Sequence, residues 1–114
     1  MKSYTNLEQS KKLAEILPLK SADMRFCFSH TLGGRVTGHY PMIGREPSMG
    51  TIPCWSLAAM LSVLDFPSLT QNKENEWEVC IPNHKSDEYI EASAYNPVDA
   101  CYKMIIRLNE LNLL

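Results

Sequence analysis

The segment "WEVCIPNHKSDEYIEASAYNPVDACYKMIIRLNEL", residues 77–111, decides the fold class of this 114-residue chain. Apolar residues alternate with polar ones in 77–81 and, more weakly, in 89–94. The polar stretch 82–88 between them reads as a turn, so the two runs predict an antiparallel β-hairpin. A helix pattern follows the hairpin directly, which favours a segregated α+β fold over an alternating α/β fold.

That helix pattern begins with strong local signals. Asn96 suits the N-cap, and Pro97 would occupy the first helical position, where its missing N–H costs nothing. Asp99 places a negative charge in the first turn, which the helix dipole favours. The predicted apolar face consists of residues at helical spacing, namely Val98, Cys101, Tyr102, Ile105, Leu108 and Leu111.

A first helix is predicted near residues 6–17. Thr5 and Glu8 fit a capping box, in which each side chain bonds the other residue's backbone N–H. Leucine and isoleucine residues form a partial apolar stripe behind this cap. Pro18 then ends the helix.

Two further elements lie in the first half of the chain. Residues 24–29 alternate, with three apolar side chains on one face, which predicts a half-buried strand. The run 56–64 is apolar nearly all round and predicts a core helix with Ser56 as its N-cap. Trp55 before the cap and Met60 at the fourth helical position would form a hydrophobic staple.

The segment 31–53 is rich in glycine and proline and predicts turns with one short strand around 35–40. The predicted order of elements is therefore α-β-(β)-α-β-β-α. We expect one globular domain over residues 1–114, of α+β class, in which a small antiparallel sheet of three or four strands packs with three helices.

The amino-acid composition and charge make several classes of function less favourable. Hydrophobic residues make up 45% and charged residues 21% of the chain, as in ordinary globular proteins. The net charge of −2 and scattered Lys and Arg disfavour nucleic acid as a partner. The sequence has no apolar run long enough to cross a bilayer and begins with a polar stretch, so we expect a cytoplasmic protein whose four cysteines are thiols.

Three quoted segments carry a family resemblance: "NLEQSKKLAEILP" near the start, "IPCWSLAAML" in the middle and "NPVDACYKMIIRLNELNLL" at the end. In this order they resemble small uncharacterised proteins encoded by phages, prophages and mobile elements of gut anaerobic bacteria. The most characteristic parts are Trp55-Ser56 before a helix rich in Leu and Ala, and the stretch 96–100. The resemblance implies no activity, cofactor or catalytic residue, and it implies that relatives often carry alanine at the position of Cys54.

Cys54 beside Trp55 is the strongest hint of catalysis, because some cysteine proteases present their nucleophile beside a tryptophan at a helix entrance. A catalytic thiol needs a pKa lowered by a helix N-terminus or a nearby histidine. Cys54 precedes the Ser56 cap by two residues, too early to receive the first-turn amides well. We therefore expect Cys54 to be a buried thiol and predict no catalytic residue.

Other site patterns are weak. Cys27 with His30, and Cys80 with His84, could together make a tetrahedral zinc site, since each pair ends a predicted strand. Such spacing also arises by chance, and a chain with this apolar content needs no zinc for stability. The glycines in 32–38 lack the order of a phosphate-binding loop. We predict neither a metal site nor a cofactor.

The sequence favours a non-enzymatic accessory protein that acts by binding a protein partner or by self-association. Exposure of Tyr95 or of the Phe66-Pro67 corner would indicate a contact patch. Leu113 and Leu114 would either fold back on the core or extend an interface. The alternative is a cysteine-dependent hydrolase that uses Cys54 with a histidine base. A third hypothesis is nucleic-acid contact through scattered cations, namely Lys20, Arg25, Arg35 and Arg45.

Overall fold

A computed structural model of the chain describes residues 1–30, 33, 35–44 and 51–114. Three α-helices and a short 3-10 turn occur in these residues: α1 (Leu7–Ile16), the turn Leu19–Ser21, α2 (Leu57–Val63) and α3 (Pro97–Glu110). The strands are β1 (Met24–His30), β2 (Val36–Ile43), β3 (Ile52–Cys54), β4 (Ser68–Gln71), β5 (Trp77–Pro82) and β6 (Tyr89–Ala94). The predicted α+β class is confirmed, and the predicted order is followed with two added strands.

The described strands form two three-stranded antiparallel sheets, with orders β2-β1-β3 and β4-β5-β6, where one small sheet had been predicted. The hairpin predicted from the alternating runs is confirmed as β5–β6, in which Trp77 faces Ala94 and Pro82 faces Tyr89. The added strands, β3 and β4, are three and four residues long. Elements this short carry too few residues to show a period of two, so only pairing reveals them.

The main core lies between the second sheet and the three helices. Fully buried side chains come from every one of these elements except β4 and β6, among them Leu13, Met60, Val79, Met104 and Ile105. On α3 the predicted Asn96 cap is confirmed, because its side chain accepts from the N–H of Asp99 at 2.8 Å. The predicted apolar face is correct except at Leu111, which is 49% exposed. The buried face of α3 includes Met104 instead.

The predicted capping box of α1 is wrong by one residue. The cap is Asn6, whose side chain accepts from the N–H of Gln9 at 2.8 Å, and the Gln9 side chain accepts from the Asn6 N–H at 3.1 Å. Thr5 is instead fully buried, and its hydroxyl accepts from the N–H of Trp55 at 3.2 Å. The sequence offers two overlapping boxes, and this tertiary contact decides between them.

Helix α2 begins as predicted. The Ser56 side chain accepts from the N–H three residues later at 3.2 Å, as an N-cap does. Trp55 and Met60 are both fully buried in the same core cluster, as the predicted staple requires. Ala58 and Ser62 are exposed, however, so α2 buries one face and is not surrounded by core.

Candidate functional site

Cys54 ends β3 and is fully buried, as predicted. Its Sγ lies 3.4 Å from the carbonyl oxygen of Thr5, to which it can donate, and 3.7 Å from the Thr5 hydroxyl. Burial is the main reason that the pKa of Cys54 is raised above its ordinary value. A nucleophilic cysteine needs the opposite shift together with access to solvent, and this position supplies neither.

The four residues weighed as zinc ligands do not assemble in the part of the chain that the structure describes. Cys27 lies on β1 in the first sheet, and Cys80 lies on β5 in the second. His84 Nε2 is 2.5 Å from Asp65 Oδ2, an exposed pair. The side chain of His30 is outside the described residues. No group of three or more His, Cys, Asp or Glu side chains suited to a metal ion occurs among the described residues.

The first sheet projects a β-hairpin, formed by β1 and β2, that we call the arm. Strand β1 pairs with β3 over Met24–Phe26 alone, whereas it pairs with β2 over its whole length. The outer part of the arm is therefore two strands wide within the described residues. The described chain is correspondingly elongated, with extents of 57 × 29 × 20 Å.

Aromatic contacts fix the base of the arm to the body. The Phe26 ring is 3% exposed and meets the Tyr4 ring edge-on, with centroids 6.1 Å apart. On the same face, His39 lies 5.3 Å from Phe26 and 6.4 Å from Phe28, again measured between ring centroids. The Tyr4–Phe26 pair contributes about 0.5–1.5 kcal/mol beyond its area burial and so helps to fix the base of the arm, whereas His39 is exposed.

Strand β2 carries an unusual amount of exposed apolar surface. Of eleven large hydrophobic side chains exposed among the described residues, four lie in this eight-residue strand. They are Val36 at 56%, Tyr40 at 45%, Met42 at 41% and Ile43 at 86% exposure. By the register with β1, Tyr40 and Met42 share one face of the arm, and Ile43 lies on the other. Patches of this kind on a projecting element are typical of contact surfaces.

The other described sheet edges are protected from pairing with another strand. Lys103 Nζ donates to the carbonyl of Ser93, and Arg107 Nη1 donates to the carbonyl of Glu91, both at 3.2 Å, so α3 covers outward groups of β6. Strand β4 has four residues, and β3 has three including Pro53. Short strands, prolines and covering cations each discourage edge-to-edge pairing.

The edge of β2 is long but interrupted. The Gly44 N–H donates to the carbonyl of Asp23 at 2.9 Å, so even-numbered residues of β2 turn their N–H groups toward β1. Pro41 therefore faces outward, where a partner strand would find no N–H. The register also shifts between Ser29 and His30. These features disfavour the addition of a further strand at this edge.

A second apolar feature is a pocket of about 460 Å³ between the end of α2, the β5–β6 hairpin and the C-terminal segment. Its apolar wall includes Ile81, Ile90 and Leu113, and the His84–Asp65 pair stands at its rim. The Leu113 N–H donates to a carbonyl of the last helical turn at 2.9 Å. Leu113 thus folds back on the core, as one predicted alternative stated.

The two aromatic positions named from the sequence are both exposed, Phe66 by 78% and Tyr95 by 84%. Phe66 also has a φ of +48°, a left-handed conformation that is rare for a bulky side chain. Both positions therefore have the exposure that we expected of a contact patch. Sequence reasoning missed the larger patch on the arm, because alternation in "VTGHYPMI" is broken by Gly38 and Pro41.

Comparisons with protein-family models, curated proteins and solved structures found no match. The functional argument therefore depends on the chemistry and exposure of the residues themselves. Among the described residues, no helix has the length and apolar character needed to cross a membrane.

Proposed function

We propose that this chain is a small non-enzymatic accessory protein, of phage or mobile-element origin, that binds a protein partner through the arm. The observation that carries the proposal is the number of exposed apolar side chains on β2, a strand whose described sheet neighbour is β1 alone. Tyr, Met and Arg are enriched in protein interfaces, and the arm has all three in Tyr40, Met42 and Arg25.

The dimensions of the arm suit such a role. An eight-residue strand spans about 26 Å, and one partner's share of a standard interface is about 800 Å², a circle about 32 Å across. Removing apolar surface from water contributes about 25 cal/mol per Å², so burial of the exposed parts of Tyr40 and Met42, which share one face of the arm, would contribute to affinity.

The hydrolase alternative requires Cys54 to be a reactive thiol. It requires an ionised sulfur that meets both substrate and an imidazole base. In the structure this sulfur is buried and its hydrogen-bond partners belong to Thr5. A protein-binding arm accounts for the exposed residues and requires no chemical role for Cys54.

The test is site-specific photo-crosslinking in the cells that make the protein. Benzoylphenylalanine replaces Tyr40 in one variant and Tyr95, an aromatic outside the arm that is even more exposed, in the control. We expect discrete protein adducts from position 40 that disappear when Met42→Ser and Ile43→Ser are added. Circular dichroism verifies that each variant is folded. Absence of adducts at position 40, or the same adducts from position 95, would overturn the proposal.

A further inference from the structure

The two segments that contain the arm and the second sheet carry opposite net charge. Residues 24–44, which include the arm, contain two arginines and no acidic residue, a charge of +2 with His neutral. Residues 68–94, which include the second sheet, contain six acidic residues against two lysines, a charge of −4. The chain as a whole has a charge of −2, so the two segments depart from this average in opposite directions.

Two of the six acidic residues, Glu78 and Glu91, lie on the strands of the second sheet, on its outer face, which we call the acid face, and the other four lie in the turns at the ends of these strands. Val79 and Ile81 point into the core, so the alternate residues Glu78 and Cys80 point outward. Glu91 lies directly opposite Cys80 in the register. The pKa of Cys80 is raised, first by burial and then by the charges of Glu91 and Glu78, as expected for a thiol between carboxylates.

The acid face also has one large exposed apolar side chain. Tyr89 is 70% exposed and faces Pro82 on the neighbouring strand, two residues before Glu91. Helix α3 packs on the opposite side of the sheet, where Lys103 and Arg107 reach around only to the edge carbonyls of β6. A basic, apolar surface would therefore find both complementary charge and apolar contact on this face.

We propose that the arm of one copy docks on the acid face of a second copy. The inference rests on the proposed function, because it names the partner of that same arm. Both surfaces belong to one chain, so a second copy always supplies the complementary face. Reciprocal docking of two arms on two acid faces closes a two-fold dimer in which each contact occurs twice.

Sedimentation equilibrium measures the dimer directly. We expect a dimer at 50 mM NaCl that weakens about tenfold or more at 500 mM, because exposed charge pairs are screened by salt. The double variant Glu78→Gln/Glu91→Gln should weaken dimerisation about 3- to 10-fold. The matched control Glu15→Gln/Glu110→Gln removes the same charge from the helices and should leave the dimer unchanged.

Charge exchange tests the pairing itself. Arg35→Glu on the arm should abolish self-association, and mixing it with Glu78→Lys/Glu91→Lys should restore a mixed dimer. A monomer at every concentration in low salt, or a dimer unaffected by salt and by these substitutions, would overturn the inference. If the chain is monomeric but position 40 still crosslinks to another protein, the proposed function stands and the second copy is rejected. Salt-dependent binding of a 30-nucleotide oligo-dT that Arg35→Glu abolishes would reject a protein partner altogether.

Discussion

The carboxylate of Asp23 accepts two hydrogen bonds from Ser56, one from its backbone N–H at 3.0 Å and one from its hydroxyl at 2.5 Å. Ser56 is the N-cap of α2, and Asp23 immediately precedes β1. The carbonyl of Asp23 also accepts from the N–H of Gly44 just after β2. One acidic residue therefore joins the base of the arm to the start of the middle helix.

Replacement of Ser56 by alanine should lower the free energy of unfolding by about 1–3 kcal/mol, because it removes an N-cap and a charge-assisted hydrogen bond together. Urea unfolding measures the loss. The control is Ser62→Ala on the same helix, whose exposed hydroxyl bonds a carbonyl of the preceding turn and whose loss should cost less than about 0.5 kcal/mol. Equal losses in the two variants would contradict the role given to Asp23.

Cys101 gives the protein a pH dependence in the alkaline range. Burial raises the pKa of this thiol to about 11 from an ordinary value of 9.0. Between these values the unfolded thiol releases its proton while the folded thiol keeps it, so stability falls as the pH rises, by at most about 1.4 kcal/mol per pH unit. The stability difference between the wild type and Cys101→Ala should therefore shrink from pH 8 to pH 11. Parallel stability curves would show that the buried thiol does not contribute.

Phe66 is held in a left-handed conformation with most of its ring in solvent, at 78% exposure. Glycine adopts this conformation without the penalty of about 1–2 kcal/mol that other residues incur, although it increases the entropy of the unfolded chain. Phe66→Gly should therefore raise the free energy of unfolding by roughly 0.5–1 kcal/mol. Leu111→Gly is the control, since Leu111 is also apolar and half exposed but has a right-handed φ of −86°, and it should destabilise. Destabilisation by Phe66→Gly would show that the ring has a packing role.

The cations of α3 that cover β6 should protect the protein from aggregation. The double variant Lys103→Ala/Arg107→Ala frees the carbonyls of Ser93 and Glu91 for pairing with another strand. We expect light scattering during heating to rise several-fold faster than in the wild type. Lys11→Ala/Lys12→Ala, which removes the same charge from the exposed side of α1, should have no such effect. Equal aggregation of both variants would assign the effect to net charge.

Local chemistry predicted the helices well and the sheets less well. Asn96 and Pro97 specify the start of α3 through their own side chains, so the sequence alone locates it. Thr5 was predicted to cap α1, but its hydroxyl instead accepts a hydrogen bond from the N–H of Trp55, fifty residues away. Strand β3 exists because it pairs with β1, and three residues that include Pro53 have no pattern that would reveal it.

The exposed apolar surface of the arm was harder to predict for a related reason. The sequence pattern predicted a short strand near 35–40, whereas β2 extends over Val36–Ile43 because pairing with β1 continues through Pro41. Tyr40 and Met42 are apolar residues with no local sign that they face solvent. Their exposure follows from the position of β2 at the rim of its sheet, which is a property of the assembled fold.

The narrow outer half of the arm has a consequence for how this chain can evolve. Substitutions there disturb a single pair of strands, whereas a change at Phe26 reaches the aromatic contact with Tyr4 and a change at Trp55 reaches the core. The side chains of the outer half of the arm can therefore diversify among descendants at little risk to folding. Selection is expected to act on the hairpin tip and on the body as two nearly independent traits.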